Sequence, residues 1–117
     1  MKVRLKPAPA NRENVRGWLR PDVDYVVLSV EVLGDESAYR IVTEDNATPA
    51  LFESSLFDVT DESVPGLWVQ VSQAHGKPDQ RMPRAWSADG FWEAFFDGDP
   101  GARRAYARAL VDLMAAA

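Results

Sequence analysis

The stretch GFWEAFFDGDPG, residues 90–101, concentrates the side chains of this chain most suited to chemistry: four aromatic rings, then two aspartates around a glycine. It raises two possibilities, a cation loop on Asp97 and Asp99 or an aromatic box of Phe91, Trp92, Phe95 and Phe96. A calcium loop of the EF-hand kind needs acids or asparagines at positions 1, 3 and 5, glycine at 6 and glutamate at 12. Counted from Asp97, position 3 is Asp99, but positions 5, 6 and 12 are Gly101, Ala102 and Arg108, so the pattern fails. Asp99 reads instead as the N-cap of a helix with Pro100 at its first position. The four rings, at i, i+1, i+4 and i+5, make one broad apolar helix face of the kind that packs on a sheet. A binding role is left only to an outer ring. The stretch is thus expected to be a helix–turn–helix joint that closes the fold.

Other reactive groups are sparse. His75 is the single histidine, set in the polar loop AHGKPDQ. Zinc needs three or four ligands, which one loop histidine in a cysteine-free chain does not supply. No nucleophile-elbow serine, glycine-rich phosphate loop or dinucleotide fingerprint is present. The paired acids at 35–36, 44–45 and 61–62 fall in turns, where carboxylates are well solvated. Acid–base work on a glycoside needs two carboxyls facing each other across a cleft, for which 117 residues leave little room. No enzyme activity, metal or cofactor is expected.

The elements around these residues are mostly β. Residues 1–117 form one domain: a basic, proline-broken arm at 1–21, an antiparallel β region at 22–86 and C-terminal helices at 87–117. Val3 and Leu5 suit a short strand. DYVVLSVEVLG alternates Val26, Leu28, Val30 and Val32 against Tyr25, Val27, Ser29 and Glu31 and is expected to be one strand. GDES turns it into AYRIVTED, which completes a hairpin. NATPA reads as a loop, 56–60 as a short strand, and LWVQVSQ as a strand with Leu67, Val69 and Val71 inward and Trp68 outward. RMPRAW is expected at a sheet edge because of Pro83. Ser87 or Asp89 is the expected cap of the first helix, and Gly98 ends it. The fold class is α+β: a bent antiparallel sheet of four to six strands, at its most curved a partly open small barrel, packed with two C-terminal helices.

The charge distribution is the informative feature. Residues 22–62 hold eleven acids and one base, Arg40, while 1–21 hold six bases and one acid, and 63–117 balance. Either the basic arm packs across the acidic region and neutralises it, or the acids form a surface that steers a cationic protein partner. The acids expected to face such a partner are Asp35, Glu36, Glu44, Asp45, Glu53, Asp58, Asp61 and Glu62. The same charge argues against nucleic acid and against an anionic membrane surface. The start, MKVRLKPAPA, has no apolar stretch after its charges, and no run approaches the ~20 apolar residues of a membrane span. With no cysteine, a cytoplasmic location is expected.

The layout YVVLSVEV … YRIVTED … LFESSLFDV … GLWVQV … GFWEAFFDGDPGA resembles the small immunity proteins of bacterial polymorphic toxin systems, over residues 23–115. The resemblance implies an α+β protein that binds and blocks a toxin domain, often a basic nuclease. The basic segment 1–21 departs from it and would lie away from such an interface. The different-class alternative is an accessory or regulatory subunit of a larger bacterial complex.

Overall fold

The computed structural model describes residues 1–6, 19–20, 22–43, 46–64, 66, 68–72 and 79–116. Its strands are β1 (Lys2–Leu5), β2 (Asp24–Val26), β3 (Ser29–Leu33), β4 (Glu36–Thr43), β5 (Asn46–Glu53), β6 (Phe57–Asp61), β7 (Trp68–Val71) and β8 (Asp79–Pro83). Two helices follow, α1 (Phe91–Phe96) and α2 (Pro100–Ala116), and short 3-10 turns occupy Ser54–Leu56 and Arg84–Trp86. The fold is α+β, as expected. Its strands form two antiparallel sheets, in the orders β2-β1-β6 and β5-β4-β3-β8-β7, and do not close into a barrel.

The second sheet is the middle of three layers. One core, with Val3, Leu5, Tyr25, Val30, Ile41 and Phe57, fills the space between the sheets. A second, with Leu28, Met82, Trp86, Phe91, Phe95, Tyr106 and Leu113, lies between the larger sheet and the helices. DYVVLSVEVLG is therefore two strands rather than one. Its chain changes sheets at Val27–Leu28: the Val27 N–H bonds Met1 O at 3.0 Å, and the Leu28 N–H bonds Arg40 O at 2.8 Å. Val27 belongs to the first core and Leu28 to the second. Apolar residues on both faces of this segment are what a chain crossing between two cores requires.

Three other expectations are corrected. Residues 46–53, read as loop at NATPA, form the edge strand β5, where Pro49 is tolerated. β8 is not an edge but lies between β3 and β7, with Pro83 as its last residue. Trp68 does not face outward; it packs partly buried against both cores.

The helical joint follows its sequence closely at one end. The Asp99 N–H bonds Ala94 O at 3.0 Å and the Gly98 N–H bonds Phe95 O at 3.1 Å, with Gly98 at φ +86°. That pair of bonds around a left-handed glycine is the Schellman ending. Asp99 Oδ2 then accepts from the Ala102 N–H at 2.8 Å, capping α2 ahead of Pro100. Asp99→Ala should cost on the order of 1 kcal/mol in urea unfolding through this lost cap, and calcium should not alter the midpoint. At the other end neither Ser87 nor Asp89 caps α1. Gly90 does, at φ +77° with no side-chain bond, while Ser87 Oγ donates to Arg84 O at 2.7 Å and closes the 3-10 turn. Phe95 is 2% exposed and is core, but Phe96, expected beside it in the core, is 48% exposed.

Candidate functional site

Residues directly opposite across paired strands share a sheet face, and residues two apart on one strand share it too. Arg40 lies opposite Ser29 on one side and Leu51 on the other, a row running beneath α1. The next row outward is Glu53, Ala38, Glu31 and Gln80 on β5, β4, β3 and β8. Beyond it, Leu33 pairs with Glu36 beside the Gly34–Asp35 turn. α1 has only 6 residues and covers the inner row through Trp92. The outer rows carry a groove of about 450 Å³ lined by Glu31, Leu33, Asp35, Glu36, Ser37, Ala38, Glu53, Ser54 and Ser55. Its lining holds four carboxylates and no base among the described residues. A hydrogen bond of 2.6 Å from Ser37 Oγ to Ser54 Oγ ties β4 to the turn that follows Glu53. Glu31 also lines a second groove of about 280 Å³, which runs past Gln80 to Asp89, Trp92 and Glu93.

The eight expected acids divide. Asp35, Glu36 and Glu53 converge on this groove. Asp58, Asp61 and Glu62 lie on or just after β6 in the other sheet. There β1 runs between β2 and β6, with Arg4 opposite Asp58 and Lys2 opposite Asp61. Arg4 Nε also pairs with Asp24 Oδ1 at 2.9 Å. Asp61 Oδ1 accepts from Ser63 N–H at 2.9 Å and from Ser63 Oγ at 2.6 Å, and these bonds hold its carboxyl below the usual carboxylate range. Lys2 and Arg4 therefore meet the acids of β2 and β6, and no described base lines the groove on the β3–β4–β5 face. Glu44, Asp45 and His75 lie outside the described residues.

Beside the open rows, in the row covered by α1, sits Arg40, the one base of the acidic segment. Its side chain is 7% exposed, and its Nη2 lies 3.6 Å from Oε1 of Glu31, whose side chain is 19% exposed. Its guanidinium stacks 4.0 Å from the centre of the Trp92 ring, a cation–π contact. The aromatic stretch thus holds a cation, but one supplied by its own chain. Burial lowers the Arg40 pKa, and Glu31 opposes that shift. Burial also pushes the Tyr106 phenol up to about 12, with the positive charge of Arg40 pulling the other way.

The Tyr106 hydroxyl is buried and has no hydrogen-bond partner among the described residues. A phenol whose pKa is raised in the fold keeps its stabilising contribution below its unfolded value, near 10, and loses it as pH climbs towards 12. Tyr106→Phe should be at least as stable as the parent below pH 10, since no bond is lost. Its stability should fall less steeply between pH 10 and 12. Tyr39, whose phenol burial also raises, contributes to the remaining slope. Identical alkaline unfolding curves for parent and variant would show that Tyr106 does not titrate with unfolding.

Glu31 was not among the acids expected to face a partner. The alternation of its strand placed it on one face with Tyr25 and Val27, and only the change of sheets at Val27–Leu28 separates them. Among the described residues, no group of three or more His, Cys, Asp or Glu could hold a metal ion. Nor is any described helix long and apolar enough to cross a membrane. The fold and site define a two-sheet α+β domain with one open, acidic sheet face. No protein-family model, curated protein or solved structure matches the chain.

Proposed function

We propose that this chain is a non-enzymatic protein-binding domain, most specifically an inhibitor of the immunity-protein kind that blocks a cationic toxin or enzyme. The observation that carries this reading is the uneven treatment of the acids. Those of β2 and β6 lie beside Lys2 and Arg4, whereas Asp35, Glu36, Glu53 and Glu31 line a groove with no base among its described residues. Like charges gathered on one face oppose folding by self-repulsion, and a basic partner relieves that repulsion on binding. Complementary fields also raise the rate of encounter and disfavour wrong partners.

A partner captured from the source cell and titrated at rising salt tests the reading. It should be basic, and its association should slow steeply, since steering is screened beyond ~8 Å at physiological ionic strength. Glu36→Lys and Glu53→Lys, both at exposed positions, should change stability by no more than about 0.5 kcal/mol and weaken binding several-fold, mainly through the on-rate. An acidic partner, or binding indifferent to salt and to both reversals, would sink the proposal. The second reading, an accessory or regulatory subunit, is favoured by the exposed Val111 and Met114, one turn apart on α2. In that case Val111→Asp, and not the reversals on the sheet face, would abolish capture.

A further inference from the structure

The geometry points to a seat for one arginine side chain of the partner: on Ala38, between Glu31 and Glu53. The inference rests on the reading of the open face as a partner-binding surface and names what that face recognises. Ala38 pairs with Glu31 across β3 and with Glu53 across β5, so the smallest side chain of the row is flanked by two carboxylates on the same face. Strands two apart stand about 10 Å from one another. That span suits a planar guanidinium, which donates from both sides of its fork; an ammonium is a point charge and reaches one carboxylate at a time. Leu33, 52% exposed in the same groove, offers apolar surface for the side chain's stem.

Arg40 shows why the seat takes a guanidinium from outside. It touches Glu31 but does not line the groove, because its side chain is buried and its guanidinium is held against Trp92. Its Nε has no hydrogen-bond partner among the described residues, and its 3.6 Å contact with Glu31 is longer than a charge-assisted hydrogen bond. Glu31 therefore keeps accepting capacity on its outer side. With the seat filled, its carboxylate lies between two guanidiniums, Arg40 on the α1 side and the incoming group on the Ala38 side, and Glu53 takes the far edge of the incoming group.

The test uses three capped peptides differing at one residue, arginine, lysine or citrulline, in an otherwise glycine-rich sequence, titrated into the whole protein at low salt. The arginine peptide should bind at least about fivefold more tightly than the lysine peptide, and citrulline should show no binding. Glu31→Gln and Glu53→Gln should each weaken the arginine peptide about tenfold. Ala38→Leu, which fills the seat without changing charge, should erase the preference for arginine over lysine. Glu53→Gln sits at an exposed position, so it reports on the seat even where Ala38→Leu fails to fold. Equal binding of arginine and lysine, or a preference that survives Ala38→Leu and Glu53→Gln, overturns the seat. A captured basic partner weakened by Glu36→Lys but indifferent to Ala38→Leu and Glu53→Gln also overturns it and leaves the inhibitor reading standing. Arginine-selective, Ala38-dependent peptide binding in a protein that captures no basic partner supports the seat and overturns the inhibitor reading.

Discussion

Trp86→Ala is expected to lower the free energy of unfolding by about 3–5 kcal/mol, the range for truncating a buried large aromatic. Trp86 is almost fully buried at the centre of the core beneath the helices. Its ring stacks on Tyr106 at 5.2 Å and on Phe91 at 6.5 Å, and it meets Trp92 edge-on at 5.6 Å. Its Nε1–H also reaches Ala105 O at 3.3 Å, so alanine removes a tether to α2 as well as the packing. A loss of this size is a large share of the ~5–15 kcal/mol that holds a domain together. Phe96→Ala is the internal control: its ring is about half exposed, and its midpoint in urea should move far less. Equal shifts for the two would mean that the core is not organised around Trp86. Loss of structure in both would mean that the α1 face as a whole, rather than its buried half, closes the fold.

The same contrast shows which parts of the fold could be read from the residues. The 3.6-residue spacing of Phe91, Trp92, Phe95 and Phe96 marks a helix face. It does not say how wide the covering surface is, and α2 covers Phe95 while leaving Phe96 half outside. Chemistry confined to a few neighbouring residues was legible: Gly98, Asp99 and Pro100 carry the helix stop and restart in their own backbone preferences. Features that depend on a distant partner were not. Alternation over 24–33 marks β structure, but an apolar residue on each face fits one doubly buried strand as well as a chain crossing between two sheets. β5 was hidden because Pro49 and its polar neighbours resemble a loop, and only pairing with β4 makes an edge strand of them.

The site was legible to a similar degree. A count of charge shows that 22–62 is acidic and that Arg40 is its one base. It cannot show that β1 lies between β2 and β6 and so places Lys2 and Arg4 beside Asp24, Asp58 and Asp61. Register did that. Register also brought Glu31 to Ala38 and Glu53 across three successive strands, and so turned a diffuse acidic segment into one face.

Arg40 joins that face to the core, and its replacement separates two roles. Arg40→Ala should cost about 3 kcal/mol, the lower end for breaking a buried ion pair by removing one partner. The lower end applies because Glu31, 19% exposed, keeps some water when its cation is lost. Alanine also strips the guanidinium from the Trp92 ring and leaves a cavity. Arg40→Met keeps most of that volume while removing a guanidinium whose Nε is buried without a partner. Well-packed apolar replacements of buried ion pairs are commonly neutral or stabilising. Arg40→Met alone still leaves Glu31 without its cation and should cost less than Arg40→Ala, but with Glu31→Gln added the double variant should stay within about 1 kcal/mol of the parent. If the double variant costs as much as Arg40→Ala, the charge itself holds the core, and the contacts with Glu31 and Trp92 outweigh the desolvation of the guanidinium. If the two separate as expected, Arg40 contributes packing to the core, and the binding face can be rebuilt around Glu31 without unfolding the protein.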